Sequence, residues 1–471
     1  MAVDVAIVGA GPAGASAAIE AARLGLDVAI IDENCDAGGQ VWRAASPAIL
    51  AAPRSPERER GDRLRAALSA ARVDARFATR VWHLEREGDR FRLALAGPHD
   101  AATLEARALI LATGAQERVF PVPGWTTPGV IGLAAATALM KEQGVLPGRR
   151  VVVAGVGPLL VYVASEISRH GGTVVALADL NPAGAWLASP AALLSRPDLL
   201  ARGAGWLAQL ATARVPVRRG WGVRRIEGGE AVARVTLGPV DASWAPAAGA
   251  EWTVAADAVC LGHGLSPAIE ATRQLDAAHV FDPVDGSWRP ELDRDGRTSV
   301  PRLYACGDGA GVLGADAAPW RGIVAARATA RDLGRAAEDD PAPRRRLARA
   351  ARFGAAMAAL TAPRPGVLDA ITPETIVCRC ESLTRAALEA EIADGGVSPG
   401  ALRAGTRCGM GPCGGRFCAE TASMLAARAT GRDRAEFGLP TARSPLRPVA
   451  IAAFDAGFDY ADIPFAAPSP L

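Results

Sequence analysis

Two stretches of the chain share one order of hydrophobic and polar positions: a β-branched apolar strand, a glycine-rich turn, a helix, and a second apolar strand closed by an acid. The first reads VDVAIVGAGPAGASAAIEAARLGLDVAIID. Strands are predicted over Val3 to Val8 and Val28 to Ile31, with Gly9, Gly11 and Gly14 in the turn and Asp32 at the end, 23 residues after Gly9. This is a complete G-x-G-x-x-G unit in its strand and helix context. Gly9 makes the tight turn, Gly11 lets the backbone approach a pyrophosphate, and Gly14 lets the helix pack on the strand. The helix N-terminus favours the anion, and Asp32 stands where a carboxylate accepts bonds from ribose hydroxyls.

The second stretch, RRVVVAGVGPLLVYVASEISRHGGTVVALAD, keeps Gly155, Gly157 and a terminal Asp179 but has Leu160 at the third glycine position. Such a leucine is expected to push the helix away from its strand and alter the pyrophosphate pocket. No arginine directly follows Asp179, so NAD is favoured over NADP if a dinucleotide binds. Two readings stay open: a site for NAD or another adenine nucleotide such as ATP, or a vestigial fold without ligand. ALILATG at 108 to 114 and RLYACGDGAG at 302 to 311 are further strand ends. The latter brings Asp308 to a place where a flavin ribityl chain could be bound, ahead of a helix predicted from about Pro319 to Glu338.

Composition narrows the function without naming it. The 471 residues carry 52 Lys+Arg against 50 Asp+Glu, a formal charge of +2, and 50% are hydrophobic. That supports about three packed domains at ~150 residues each. The balance offers no basic field for nucleic acid, and Arg344, Arg345 and Arg346 read as a solvated helix face. The apolar N-terminal run lacks a basic n-region and carries Asp4, Glu20, Arg23 and Asp27, so neither a signal peptide nor a membrane span is expected. Five of the eight cysteines lie between Cys378 and Cys418, which fits a reducing cytoplasm and a use other than disulfides.

The order of these motifs resembles the two-dinucleotide-domain flavoprotein oxidoreductases, the group that includes glutathione and thioredoxin reductases. The resemblance covers residues 1 to about 340. It implies a Rossmann-like α/β fold of the glutathione-reductase type, with an FAD domain at 1–117 and 263–340 and an NAD-type domain at 118–262 inserted between them. It further implies FAD contacts from Gly9, Gly11, Pro12, Ala13, Gly14, Asp32 and Glu33 in the first unit, and from Gly39 and Gln40 after it. Val81, in a strand expected over Ala78 to Leu84, would meet the adenine through its backbone. Ala112, Thr113 and Gly114 at the first strand end, and Gly307 and Asp308 at the second, complete the implied set. Gly155, Gly157 and Asp179 would serve the second nucleotide. This part of the chain has no C-x-x-C or C-x4-C, only isolated Cys35, Cys260 and Cys306, so a disulfide reductase is not expected. Cys306 reads as a small buried thiol in the core.

After a linker at 341–372 with one helix expected from about Arg344 to Leu360, a domain at 373–430 holds Cys378, Cys380, Cys408, Cys413 and Cys418. A C-x-C pair followed 32 residues later by C-x4-C suits a small iron-sulfur cluster, the intervening Leu383, Ala387, Leu388 and Ile392 having helical spacing that folds the pairs together. Structural zinc, the alternative, usually takes C-x2-C knuckles, and none is present. The segment resembles the helical [2Fe-2S] domain of bacterioferritin-associated ferredoxin. Its T-[KR]-x-G-x-G stretch matches Thr406, Arg407, Gly409 and Gly411, with Cys408 at the x position. The resemblance therefore implies Cys378, Cys380, Cys413 and Cys418 as ligands, although the small ferredoxins have C-x2-C for the second pair. Gly409, Gly411, Gly414 and Gly415 suit a loop whose N–H groups face cluster sulfurs.

Taken whole, with ATGAQERVFPVPGWTTPGV at 112 to 130 and CRCE followed by TRCGMGPCGGRFC, the chain resembles the larger (A or alpha) subunits of heteromeric opine oxidases, D-hydroxyproline or proline dehydrogenases and hydrogen cyanide synthase. Gly414 departs from the glutamine common among them. The family implies an oxidoreductase complex in which a smaller beta flavoprotein subunit oxidises the amine, sometimes with a further small ferredoxin-like subunit. This chain would then relay electrons through FAD and [2Fe-2S] in a hetero-oligomer. The residues agree, since no motif supplies an arginine clamp for an amino-acid carboxylate. His263, in CLGHGLSP, reads as an exposed loop histidine. Two rivals remain: an autonomous NADH-dependent ferredoxin-type reductase, and a non-catalytic nucleotide-binding scaffold. The Pro-rich end at 431–471, with Phe454, Phe458, Tyr460 and Phe465, reads as an extended arm packing on its own domains, the preferred reading, or on a partner.

Overall fold

The computed structural model describes residues 2–46, 49, 55–98, 101–187, 190–337 and 340–454. The strand Ala2–Val8 lies at the centre of a sheet because its residues are apolar on both faces. It pairs in parallel with Val28–Ile31 on one side and Ala101–Leu111 on the other, Val5 facing Val28 and Ala108. Beyond these lie Asp74–Arg76, and the antiparallel strands Arg90–Ala96 and Arg80–Glu87. The last of these carries Val81 and begins two residues later than expected. A strand from far along the chain, Leu303–Ala305, completes the sheet beside Ala101–Leu111.

The helices of this domain also come from both ends of its sequence. Pro12–Arg23 packs on Ala318–Asp332, which starts close to its expected position but stops at Asp332. Contact is made by small residues: a Cβ at Gly322 would run into the Ala13 carbonyl oxygen. Glu20, nearly buried, is held there by Arg327 at 2.6 Å and Arg23 at 2.8 Å.

The inserted sheet is parallel throughout, in the order Val217–Arg219, Thr173–Asp179, Arg150–Gly155, Ala258–Gly262, Val130–Gly132. The chain enters this domain along Ala115–Glu117 and leaves it along Leu265–Pro267, and these two short strands pair antiparallel. Leu160 does not push its helix away. It is fully buried with Val151, Val153 and Val163 in the core beneath the helix Pro158–Arg169. The close approach falls on Gly155 instead, where a Cβ would strike the Gly262 carbonyl.

The linker helix spans Ala342–Leu360. Its arginines are not a uniformly solvated face: Arg344 pairs with Asp295 at 2.7 Å and Arg346 lies over the Trp320 ring. A hairpin of Ile376–Cys378 and Leu383–Thr384 then leads to helices Arg385–Ala393, Pro399–Thr406 and Ala419–Thr430, the first two capped by the Thr384 and Ser398 hydroxyls. The arm packs on the first domain, as expected: Leu446 donates to the Trp82 carbonyl at 2.7 Å, and the Phe454 ring meets Trp82. Phe458, Tyr460 and Phe465 lie outside the described residues. Among those described, no helix is long and apolar enough to cross a membrane.

The three domains meet at Arg118, whose side chain is 2% exposed. Its Nε donates to Glu420 at 2.8 Å, and an Nη donates to the Ser287 hydroxyl. The other Glu420 oxygen takes a bond from Arg434 at 2.9 Å. Burial opposes charge on Glu420, but the two guanidinium groups outweigh it and hold the carboxyl below its usual range.

Two outcomes follow for stability. Gly322→Ala should lose about 1–3 kcal/mol in urea unfolding, because neither helix backbone can retreat. Glu420→Gln should cost about 3 kcal/mol, the low end for a broken buried pair since Glu420 is partly exposed. The native pair contributes fully above the unfolded carboxylate range and loses that contribution as pH falls through the depressed folded value. Acid unfolding should therefore be steeper for the native chain than for Glu420→Gln, and parallel curves would contradict this account.

Candidate functional site

The first glycine turn is built for close approach. Gly9 has φ +100°, its N–H donates to the Ile31 carbonyl at 2.8 Å, and a Cβ at Gly14 would run into its carbonyl. Pro12 opens the helix, with Ala13 buried behind it. The loop carrying Gly38 and Gly39 folds back over this turn: Gly38 N–H donates to the Ala10 carbonyl, and a Cβ at Gly39 would lie 2.9 Å from Gly11 Cα. Gln40, next in sequence, turns outward and accepts from Arg43 at 2.8 Å.

Asp32 links the turn to the end of the second strand. One oxygen accepts from Ala10 N–H at 2.6 Å and the other from the N–H and Nδ2 of Asn34, each at 2.7 Å. Asn34 was not legible as a site residue, and only its place two residues after the acid suggests an Asx-type turn. Glu33 points to solvent and pairs with Arg447 of the arm at 3.2 Å. An open cavity lies here, lined by Gly9, Asp32, Glu33, Asn34, Thr79, Val81 and Thr113. Arg416, Leu446 and Arg447, from the other end of the chain, close its far side.

Further along, Ala112 is buried, the Thr113 hydroxyl donates to the Ala268 carbonyl at 2.7 Å, and Gly114 has φ +72°. Gly307 packs against Ala13, while one Asp308 oxygen accepts from the N–H groups of Leu313 and Gly314 at 2.9 Å. A bare glycine turn and a helix N-terminus beside the cavity that Asp32 lines, with Asp308 at a neighbouring strand end, fit the pyrophosphate and hydroxyls of FAD.

In the inserted domain Asp179 is buried and already bonded. It accepts from Asn181 N–H at 3.0 Å and from Trp186 Nε1 at 3.4 Å, and burial raises its carboxyl to about 6. Gly157 faces Thr361 of the linker, and Gly155 is pressed against Gly262. His263 is not an exposed loop residue. It is 4% exposed, its Nδ1 accepts from Phe120 N–H at 3.1 Å, and its ring meets Phe120 edge-on. Burial, helped by Arg118, lowers its pKa to about 3, so it stays neutral as a packing group. Cys306 lies in the first core as expected, its thiol pushed up to about 12 by burial.

All five late cysteines converge. The sulfurs of buried Cys378, Cys408 and Cys418 lie within 4.8 Å of one another. Exposed Cys380 and half-buried Cys413 hydrogen-bond to each other alongside. The position of Cys408 thus does not remove it from the site, as its place in the motif suggested. The loop between Cys408 and Cys418 turns through Gly409, Gly414 and Gly415, all at positive φ. From it Arg416 reaches toward the flavin cavity. It donates to the Cys413 carbonyl at 2.8 Å and the Leu446 carbonyl at 2.9 Å, and pairs with Glu270 at 3.3 Å. Five cysteine sulfurs, three of them on a glycine-rich loop and two at the hairpin, suit an iron-sulfur cluster, whose chemistry needs thiolates and N–H donors.

Comparison with known proteins agrees with this geometry. Residues 3–332 match the family described as pyridine nucleotide-disulphide oxidoreductase, and residues 376–428 match the BFD-like [2Fe-2S] binding domain. The chain is 35% identical to the A subunit of opine oxidase from Agrobacterium tumefaciens (strain Ach5), over 95% of this chain and 90% of that one. It is 32% identical to the HcnB subunit of hydrogen cyanide synthase from Pseudomonas protegens, over 96% and 98%. Among solved structures, L-proline dehydrogenase from P. horikoshii shares the fold with a TM-score of 0.72 at 22% identity, covering 96% of this chain and 79% of that one. The chain is therefore an FAD- and [2Fe-2S]-containing oxidoreductase of the pyridine nucleotide-disulphide oxidoreductase family, and belongs within it to the group formed by the opine oxidase A subunits and HcnB.

Proposed function

We propose that this chain is the electron-relaying subunit of a heteromeric amino-acid or opine dehydrogenase, taking electrons from a separate amine-oxidising flavoprotein subunit. The observation that supports it most directly is Arg416. It stands on the cysteine loop and lines the cavity that Asp32, Glu33 and Val81 mark as the adenosine end of the FAD site, so the cysteine domain abuts the FAD domain. Bound FAD takes up electrons in pairs and a [2Fe-2S] cluster passes them singly, which is the chemistry a relay requires. The relatives are by name subunits, of opine oxidase and of hydrogen cyanide synthase, in keeping with a partner that holds the amine pocket.

In this reading the chain's own residues bind and orient. Gly9, Gly11 and Gly39 leave room for the pyrophosphate, Asp32 retains lone pairs for a ribose hydroxyl, and Asp308 has its second oxygen for the ribityl chain. Cys378, Cys380, Cys413 and Cys418 are the ligands the motif implies, while the sulfurs that lie within 4.8 Å of one another are those of Cys378, Cys408 and Cys418, so Cys408 competes for a ligand place. Arg416 fixes the loop against Glu270 and the arm, keeping the sites together.

Purification of the chain with and without its partner flavoprotein tests the assignment. Flavin and cluster bands should bleach only when the partner and an amine substrate are both present, whereas bleaching by NADH alone would reverse the direction of flow. Cys408→Ala should keep iron content and the visible spectrum, while Cys413→Ser should lose cluster absorbance. Equal loss in both would reassign the ligands. Arg416→Gln, which removes charge-assisted bonds, should weaken FAD retention about tenfold on dialysis.

A further inference from the structure

The second dinucleotide domain presents its glycine turn to the protein rather than to a cavity. We propose that the mouth of this domain is the seat on which the linker and the [2Fe-2S] domain dock, and that it takes no nicotinamide dinucleotide.

The two turns differ where a pyrophosphate would sit. A Cβ at Gly11 would find only Gly39 Cα, at 3.8 Å. A Cβ at Gly157 would lie 2.5 Å from the Thr361 methyl carbon, and one at Gly264, on the loop after the strand Ala258–Gly262, would lie 2.8 Å from Thr361 Cβ. Thr361 is thus wedged between two loops at the carboxyl ends of the parallel strands, where open α/β sheets take their ligands. Its hydroxyl donates back to the Ala358 carbonyl at 3.1 Å, leaving its methyl toward Gly157.

The flanking residues hold the wedge in place. Asn181, fully buried, donates from Nδ2 to the Leu360 carbonyl at 3.1 Å. Val156, between the two glycines, and Leu180, directly after the acid, are 1% and 6% exposed. Both belong to one apolar core with Val367, Leu368 and Ile371 of the linker and Leu388 and Leu425 of the cysteine domain. Beyond them, Gly366 N–H donates to the Ser243 carbonyl at 3.0 Å and Arg364 to the Ala242 carbonyl at 2.6 Å. A nicotinamide dinucleotide could reach the turn only by displacing residues 360–371 and opening the core that anchors the cysteine domain. Burial that a glycine mouth ordinarily reserves for a ligand is here used for intramolecular docking.

The test uses the full-length holoprotein. Calorimetric titration with NADH, NADPH and ATP separately should give no saturable heat at millimolar ligand. Saturable one-to-one binding of either nicotinamide would overturn the proposal, and of ATP would overturn the wedge. Binding of NADH with flavin bleaching would sink the relay reading as well, whereas binding without bleaching would sink this proposal alone. Docking is read by limited proteolysis of the linker. Val156→Asp, and as a milder change Thr361→Gly, should be cleaved between 340 and 375 about tenfold faster than the native chain, with flavin content unchanged. Native cleavage rates in Thr361→Gly would overturn the docking role even if Val156→Asp fails to fold.

Discussion

The buried pair of Arg118 and Glu420 is the constraint on which the arrangement of the molecule rests. Arg118 directly follows the short strand that carries the chain from the first domain into the second, and Glu420 stands two residues after Cys418. One guanidinium therefore joins the crossing between the nucleotide domains to the helix that leaves the cysteine loop. Such a pair is expensive to bury unless the remaining donors and lone pairs find partners; Ser287 accepts from Arg118, and Arg434 donates to the second Glu420 oxygen. Its geometry leaves the cysteine domain little freedom to turn, which keeps the Cys408 to Cys418 loop beside the flavin cavity.

The pairing of cofactor sites follows from this placement. The loop approaches the cavity through Arg416, and the arm runs across the same opening, held by Arg80, Arg403 and Arg416 donating to its backbone carbonyls. Arginine suits this task because its planar fork meets several carbonyls while remaining charged. The adenosine side of the cavity is thus walled by three separate parts of the sequence.

What the amino-acid sequence disclosed was local. The first glycine unit and the strand ends at Thr113 and Asp308 are short patterns whose geometry depends on neighbours in the chain, and the tight turns they describe are formed. Long-range packing was hidden. His263 looked like a loop residue because nothing nearby announces that Phe120 will cover it. Leu160 looked disruptive because the third glycine was assumed to be the point of contact, whereas that contact falls on Gly155 and Gly262. Arg118, Asn34 and Arg416 had no motif, and their partners lie 302 residues away, two residues away and at three separate places. Cys408 shows the limit of reading ligands by position, since folding places its sulfur within 4.8 Å of those of Cys378 and Cys418.

The first sheet takes its last strand from Leu303–Ala305, and its first helix rests on Ala318–Asp332. The fold therefore imposes an order on synthesis. The inserted domain has left the ribosome whole before the segment that finishes the flavin cradle appears, and the N-terminal strands must wait, incompletely covered, until some three hundred residues have followed them. Those early strands are rich in valine and isoleucine. During translation they are the part of the nascent chain most exposed to mispairing, and so the place where a chaperone would be needed first.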